Sequence, residues 1–193
     1  MEEKTSSYLV VTIKEWNIKQ YKLATEKFTG QWYLITNPSE LRLETLKKID
    51  PKYIFFPHRS ERVPHEIFTN YECVCFHETD LPFGRGGSPI QNLIERGFKS
   101  TKISAIRMTE ELDAGPIYLK KQLSLEGIAE EIFIRSSEII FEMIEYIVDN
   151  KPKPIPQEGE VVFFKRRKPD QSSIPKEIKT LKELYDFIRM LDA

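Results

Sequence analysis

The segment from Cys73 to Gln91 reads CVCFHETDLPFGRGGSPIQ and combines the features of a strand, a loop and a helix start. Cys73 to Phe76 is a short apolar run between polar residues, which is typical of a buried strand. His77 stands at the carboxyl end of that strand, and a loop rich in glycine and proline follows it. Ligands bind at the carboxyl ends of strands in open α/β sheets. The segment therefore predicts a functional site at His77.

The rest of the chain alternates apolar or β-branched runs with amphipathic segments, which predicts strands alternating with helices. The predicted strands are 8–13, 31–36, 53–56, 73–76, 103–108, 118–125 and 161–164, and the predicted helices are 15–28, 39–48, 65–69, 89–97, 128–149 and 181–191. Ser39 is the expected N-cap of its helix, and 118–125 is expected to run antiparallel to 103–108. The alternation predicts an α/β fold with an open, mostly parallel sheet flanked by helices.

Length and composition restrict the classes of protein to which this chain can belong. A chain of 193 residues, with 40% hydrophobic and 31% charged residues, is typical of one globular domain with a real core. The net charge of −1 predicts no nucleic acid partner. The sequence shows no signal-peptide pattern and no apolar run of membrane-spanning length. Cys73 and Cys75 point to one face of a strand and cannot bridge, so a reducing, cytoplasmic location is expected.

Two motifs carry a family resemblance. The first is Cys75-Phe-His77, followed by Asp80-Leu-Pro82 and a loop ending in Pro89-Ile-Gln91, and the second is the turn Asp113-Ala-Gly-Pro116. Together they resemble the 10-formyltetrahydrofolate-dependent formyltransferase family, and most closely its bacterial nucleotide-sugar N-formyltransferases of the pseudaminic-acid-pathway type. The family pattern is Asn-x-His at a strand end, Ser-Leu-Leu-Pro, a glycine-rich loop ending in Pro-Ile-Gln, and an Asp-x-Gly-Pro turn. Cys75 stands where the family usually carries asparagine.

The resemblance implies a trimmed Rossmann-like formyltransferase fold, with a catalytic domain at 1–156 and a C-terminal extension at 157–193 packed on it. It also implies 10-formyltetrahydrofolate as the co-substrate, with His77 and Asp113 as catalytic residues and Cys75 at the third catalytic position. The residues implied to bind the folate are Ser60, Glu61, Arg62, Val63, Thr109, Glu110, Leu112 and Asp113. The residues implied to bind the acceptor substrate are Phe83, Gly84, Arg85, Gly86, Gly87, Ser88, Arg166 and Arg167.

Formyl transfer is an acyl transfer in which an amine attacks the formyl carbon and a tetrahedral oxyanion forms. Protein groups must stabilise that oxyanion and take the proton of the amine. A histidine can do either, because its unperturbed pKa lies near neutrality, and a nearby aspartate can orient it. The plainer interpretation is that His77 bonds to backbone and that Asp113 only shapes a turn. Both interpretations can hold together.

Cys75 allows several interpretations. A thiol is a poor hydrogen-bond donor, so Cys75 is either a spectator or a mark of reduced or lost activity. Nucleophilic catalysis by Cys75 with His77 is a weaker alternative, because buried cysteines are usually inert. A metal site formed by Cys73, Cys75 and His77 is equally weak, because structural zinc needs four ligands.

Two further segments each have two interpretations. The loop 84–88 could cradle a phosphate before a helix, or it could be a tight strand-to-helix connection. The basic cluster 165–168 could contact a nucleotide diphosphate or a tRNA backbone, or it could be a solvated turn.

Three functions follow from these motifs. The favoured one is formyl transfer from 10-formyltetrahydrofolate to the amine of a nucleotide-linked aminosugar. The alternative is a methionyl-tRNA formyltransferase-like enzyme, which would need a basic C-terminal RNA-binding domain that this chain is not expected to carry. The third is a non-catalytic protein that binds folate or a partner, which activity created by Cys75→Asn would support. The terminal helix 181–191 is a candidate homodimer interface.

Overall fold

Strands and helices alternate along the chain, and the computed structural model describes them for residues 5–58 and 62–191. The strands are β1 (Ser7–Val11), β2 (Gln31–Ile35), β3 (Pro51–Phe56), β4 (Cys73–His77), β5 (Phe83–Gly86), β6 (Ser100–Arg107), β7 (Ile117–Ser124) and β8 (Val162–Phe164). The helices are α1 (Glu15–Thr25), α2 (Leu43–Ile49), α3 (His65–Asn70), α4 (Pro89–Glu95), α5 (Ala129–Asn150) and α6 (Leu181–Arg189). Short 3-10 helices cover Pro38–Glu40 and Pro169–Ser172.

The main sheet has the strand order β2-β1-β3-β4-β6-β7. The pairs β1–β2, β1–β3 and β3–β4 are parallel, whereas β6 runs antiparallel to β4 and β7 antiparallel to β6. The predictions of an α/β fold with a mostly parallel sheet and of an antiparallel pair 103–108 with 118–125 are therefore confirmed. Because β1, β3 and β4 are parallel, their carboxyl ends meet at one edge of the sheet.

The core lies on both faces of this sheet, as the alternation of side chains along a strand requires. Val10 and Phe55 belong to the core on the side of α5, and Leu9 and Ile54 pack with residues of α2 and α3 on the other side. The helix α5 buries an apolar stripe at helical spacing: Ile132, Ile140, Phe141, Met143, Ile144 and Ile147. Burial of each large apolar side chain contributes about 1.5–3 kcal/mol, so this stripe anchors α5 to the sheet.

Two local predictions differ from the structure. Ser39 is not an N-cap of a helix at 39–48, because Asn37 Oδ1 accepts the Ser39 N–H at 3.0 Å and begins a 3-10 helix, after which α2 starts at Leu43. Pro38 favours this early turn because its φ angle is preset for a first helical position. The first half of the loop 84–88 lies in β5, which pairs in parallel with β8. That pairing joins segments far apart in sequence, so no local pattern indicates it.

The C-terminal segment is attached to the rest of the chain through β8 and α6. Phe164 and Phe187 are buried in the core on the α5 side of the sheet, and α6 packs against α4. Arg189 Nη1 donates hydrogen bonds to the carbonyls of Leu125 and Gly127 at 2.6 and 2.9 Å. The division at 156/157 stays a prediction. Within the ranges 5–58 and 62–191, no helix is both long and apolar enough to cross a membrane.

Candidate active site

A cleft of about 1010 Å³ opens at the edge where the carboxyl ends of β1, β3 and β4 meet. Its lining combines residues that follow these strands with residues of the loop after β5, the turn before β7 and helix α5: Lys14, His58, His77, Gly87, Asp113 and Phe133. A cavity of this size holds a drug-sized ligand with a second reactant beside it. The position of the cleft agrees with the site predicted at His77.

His77 ends β4 and is buried, with one ring nitrogen committed to the backbone. Its Nε2 lies 2.8 Å from the carbonyl oxygen of Gly84. A carbonyl can only accept, so Nε2 carries a proton and donates it to that bond. The other nitrogen, Nδ1, lies 3.7 Å from Asp113 Oδ2. We infer that Nδ1 is the nitrogen that gains or loses a proton during chemistry, because Nε2 keeps its proton for Gly84.

Asp113 shapes a turn and also directs its carboxylate at His77. Its φ angle of 53° lies in the left-handed region, which aspartate tolerates better than most residues because its short side chain can bond locally. Asp113 Oδ2 accepts the N–H of Gly86 at 2.9 Å. The turn interpretation and the carboxylate–imidazole interpretation are thus compatible in one residue.

Cys75 lines the cleft next to these two residues. Burial, followed by the nearby charge of Asp113, raises the pKa of the Cys75 thiol above its ordinary range, and burial raises that of Cys73 to about 12. Both side chains are therefore thiols near neutral pH, which argues against Cys75 as a nucleophile. Among residues 5–58 and 62–191, no group of three His, Cys, Asp or Glu side chains is placed to hold a metal ion.

The glycine-rich loop is shaped by its contacts with β8. A Cβ atom at Gly86 would lie 2.3 Å from the Phe164 carbonyl oxygen, and one at Gly87 would lie 2.4 Å from Arg166 Cβ. The Gly86 N–H donates to Asp113, and the Gly87 N–H donates to the Phe164 carbonyl at 3.2 Å. Because both amides are already bonded, these contacts favour the tight-loop interpretation over a phosphate cradle.

The predicted binding residues divide into those that line the cleft, those outside its lining and two that fall outside the described residues. Those that line the cleft are Arg62, Val63, Thr109, Glu110, Leu112, Asp113, Gly86, Gly87, Ser88 and Arg166. Phe83, Gly84, Arg85 and Arg167 lie outside its lining, and Ser60 and Glu61 fall outside the described residues.

The predicted binding residues outside the lining have internal partners. Phe83 packs edge-on against Phe164, with ring centroids 5.4 Å apart. Arg167 Nη1 lies 3.2 Å from the Glu95 carboxylate, and its guanidinium stands over the Phe187 ring. Both side chains therefore serve the packing of the C-terminal segment.

Sequence reasoning missed a buried ion pair in the wall of the cleft. His58 Nε2 lies 3.0 Å from Glu78 Oε1, and both side chains are less than 10% exposed. Asn17 contacts His58 Nδ1 at 3.0 Å, and Ser136 Oγ lies 3.2 Å from Nε2. His58 follows the end of β3, and Glu78 follows His77 at the end of β4. Their positions just after two strands were the signal in the sequence that they lie near the cleft. The Asn17 and Ser136 contacts come from distant helices, and no local motif indicates them.

The charge of Glu78 is maintained by the neighbouring histidines. Burial by itself would raise the pKa of the Glu78 carboxyl, but His58 and His77 outweigh it and the pKa is lowered. A carboxyl with a lowered folded-state pKa stabilises the fold above its unfolded pKa, and that stabilisation is lost as pH falls through the folded value.

We expect Glu78→Gln to lower the free energy of unfolding by about 2–3 kcal/mol at pH 7, because a buried charged partner of His58 is removed. The two proteins should converge in stability only as pH falls below the ordinary glutamate pKa of 4.5 and then through the lower folded-state pKa of Glu78. Urea unfolding at pH 7 and at about pH 2.5 measures both differences. Glu138→Gln, an exposed change on α5, should leave the urea midpoint unchanged. An equal loss at both pH values would contradict the charge argument.

Comparison with known proteins finds relatives among the methionyl-tRNA formyltransferases. A family model described as the C-terminal domain of methionyl-tRNA formyltransferase matches residues 169–193. A curated methionyl-tRNA formyltransferase from Thermodesulfovibrio yellowstonii is 29% identical over 140 residues, which are 68% of this chain and 46% of the relative. The chain thus spans about half the length of the curated relatives it matches.

Two solved structures resemble this chain over almost its whole length. A methionyl-tRNA formyltransferase from Clostridium thermocellum is 50% identical, with a TM-score of 0.93 over 97% of this chain and 84% of that chain. HypX from Aquifex aeolicus, solved in complex with tetrahydrofolic acid, shares the fold at 17% identity, with a TM-score of 0.78 over 96% of this chain and 34% of that chain.

Proposed function

This chain belongs to the formyltransferase family that includes methionyl-tRNA formyltransferases, and we propose that it is an enzyme that transfers a formyl group from 10-formyltetrahydrofolate to an amine. The observation that carries the proposal is His77 Nδ1 opposite the Asp113 carboxylate in a large cleft. The names of the relatives and the tetrahydrofolic acid bound to HypX support a folate donor.

The reaction needs one proton relay, and His77 is placed to supply it. The acceptor nitrogen attacks the formyl carbon, and its proton passes to Nδ1. The bond between the formyl carbon and the folate nitrogen then breaks, whereas the new bond to the acceptor nitrogen remains. The proton on Nδ1 moves to the folate nitrogen. Asp113 stabilises the positive charge that the ring carries between these steps. Cys75 is a neutral spectator in this scheme, because its thiol remains protonated.

The acceptor that we propose first is the amino group of methionyl-tRNA. The C. thermocellum relative and the curated relatives carry that activity in their names. This acceptor replaces the nucleotide-linked aminosugar that the sequence motifs favoured. The aminosugar stays a second candidate because of the charge of the chain. The net charge is −1, and Arg167 of the basic cluster is engaged with Glu95, so cationic surface for RNA phosphates is reduced.

The test is formyl transfer from 10-formyltetrahydrofolate to methionyl-tRNA and to UDP- and dTDP-aminosugars, followed as a gain of one formyl mass. We expect a gain on one acceptor class. A gain on tRNA supports the first proposal, and a gain on one sugar overturns it in favour of the second. Folate binding without transfer to any acceptor would contradict the enzymatic role and support the non-catalytic alternative. A cytoplasmic location and a homodimer through 181–191 stay predictions.

A further inference from the structure

The side-chain amide of Gln157 makes hydrogen bonds to the turn that carries Asp113 and to Arg85. Its Nε2 donates to the carbonyl oxygens of Asp113 and Gly115 at 2.8 and 2.9 Å. Its Oε1 accepts from Arg85 Nε at 3.1 Å and from Arg85 Nη2 at 2.8 Å. A glutamine amide offers two donors and two acceptor positions, so every hydrogen bond that it can make joins the turn to Arg85.

Arg85 connects this amide to the other side of Asp113. Its side chain is 10% exposed, and its Nη1 reaches Glu111 at 3.2 Å. The next residue in β5, Gly86, donates its N–H to the Asp113 carboxylate. Asp113 is thus held at two points, with Gln157 on its carbonyl and Gly86 on its carboxylate.

The turn needs such support because its conformation is constrained. Asp113 has a left-handed φ angle of 53°. Gly115 approaches the neighbouring strand so closely that a Cβ atom there would lie 1.7 Å from the Arg107 carbonyl oxygen. Sparsely populated backbone conformations persist when the surroundings over-determine them. The segment before Gln157 supplies further anchorage, because Ile155 and Ile117 exchange backbone hydrogen bonds at 2.9 and 2.7 Å.

We propose that Gln157 is a positioning residue for formyl transfer, which holds the 113–115 turn so that the Asp113 carboxylate stays opposite His77 Nδ1. The inference rests on the proposed function and adds to it a residue outside the cleft lining. It also gives the segment after α5 a part in the chemistry, because that segment carries the amide which fixes the aspartate. Gln157 does not touch the reacting atoms and acts only through Asp113.

The experiment compares two substitutions that separate the bonds of the amide. Gln157→Leu removes all four hydrogen bonds. Gln157→Glu keeps an acceptor for Arg85 but loses both donors and sets a carboxylate oxygen against the two turn carbonyls. We expect both variants to lose kcat on the order of 100-fold, because small displacements of a catalytic group carry costs of that size. Gln122→Leu makes the same change at an exposed position of β7 and should match the wild type.

Two readouts distinguish positioning from general destabilisation. The loss should fall on kcat while KM stays near the wild-type value, because Gln157 lies outside the cleft lining and acts only on the catalytic aspartate. Hydrogen exchange should become faster at 109–116 in Gln157→Leu and stay unchanged in the control. Wild-type exchange in this turn, or a wild-type kcat in Gln157→Glu, would overturn the proposal. If the wild type transfers no formyl group, the proposed function fails and the exchange result alone decides the positioning.

Discussion

Replacing His77 with alanine is expected to lower kcat/KM for formyl transfer by about 10²- to 10⁴-fold, which is the range for loss of a general acid–base group. The ring supplies Nδ1, which faces the Asp113 carboxylate at 3.7 Å, while Nε2 is held by the Gly84 carbonyl. Alanine removes both nitrogens, so neither the proton relay nor the bond to the loop remains. Initial rates at acceptor concentrations well below KM measure this ratio directly.

A second substitution separates the chemistry from the loop contact. Gln in place of His77 can donate an amide N–H toward the Gly84 carbonyl, yet it has no group that can gain a proton near neutral pH. His77→Gln should therefore be as inactive as His77→Ala while keeping more of the wild-type urea midpoint. A near wild-type rate in His77→Gln would show that His77 only anchors the loop, which is the plainer interpretation of a histidine at a strand end.

The parts of the site that could be predicted are those encoded by neighbouring residues. A strand end followed by a glycine-rich loop indicates His77, and a short Asp-x-Gly-Pro turn indicates Asp113, because backbone conformation at both places depends on adjacent residues. The same holds for α5, because apolar spacing predicted a helix at 128–149 and the observed helix, Ala129–Asn150, differs by one residue at each end.

The parts that could not be predicted depend on side chains that meet only after folding. Glu78 appears beside a predicted catalytic residue, but its partner His58 lies on another strand end, and Asn17 and Ser136 come from α1 and α5. The family resemblance implies that Arg85 binds the substrate, and that role stays a prediction. In the structure its guanidinium bonds Gln157, which is remote in sequence, and no periodicity or motif encodes such a pair.

Replacing Asp113 with asparagine is expected to lower kcat/KM by about 10²- to 10³-fold, the size of effect seen when one electrostatic stabiliser is removed. Asparagine tolerates the left-handed conformation that Asp113 adopts, and its amide oxygen can still accept the Gly86 N–H. The substitution thus removes the charge opposite His77 while keeping the turn. Steady-state kinetics should show the loss mainly in kcat, because the charge matters when the ring becomes protonated.

The comparison with Asp113→Ala identifies the source of that loss. Alanine at a φ angle of 53° is strained by about 1–2 kcal/mol and leaves the Gly86 N–H without its acceptor. Asp113→Ala should therefore lose activity as Asp113→Asn does and also unfold at lower urea, whereas Asp113→Asn should keep the wild-type midpoint. If Asp113→Asn kept the wild-type rate, the role of Asp113 would be only to hold the turn. Its negative charge would then have no part in the proton relay. A loss in both variants, with stability lost only in alanine, assigns the effect to the charge.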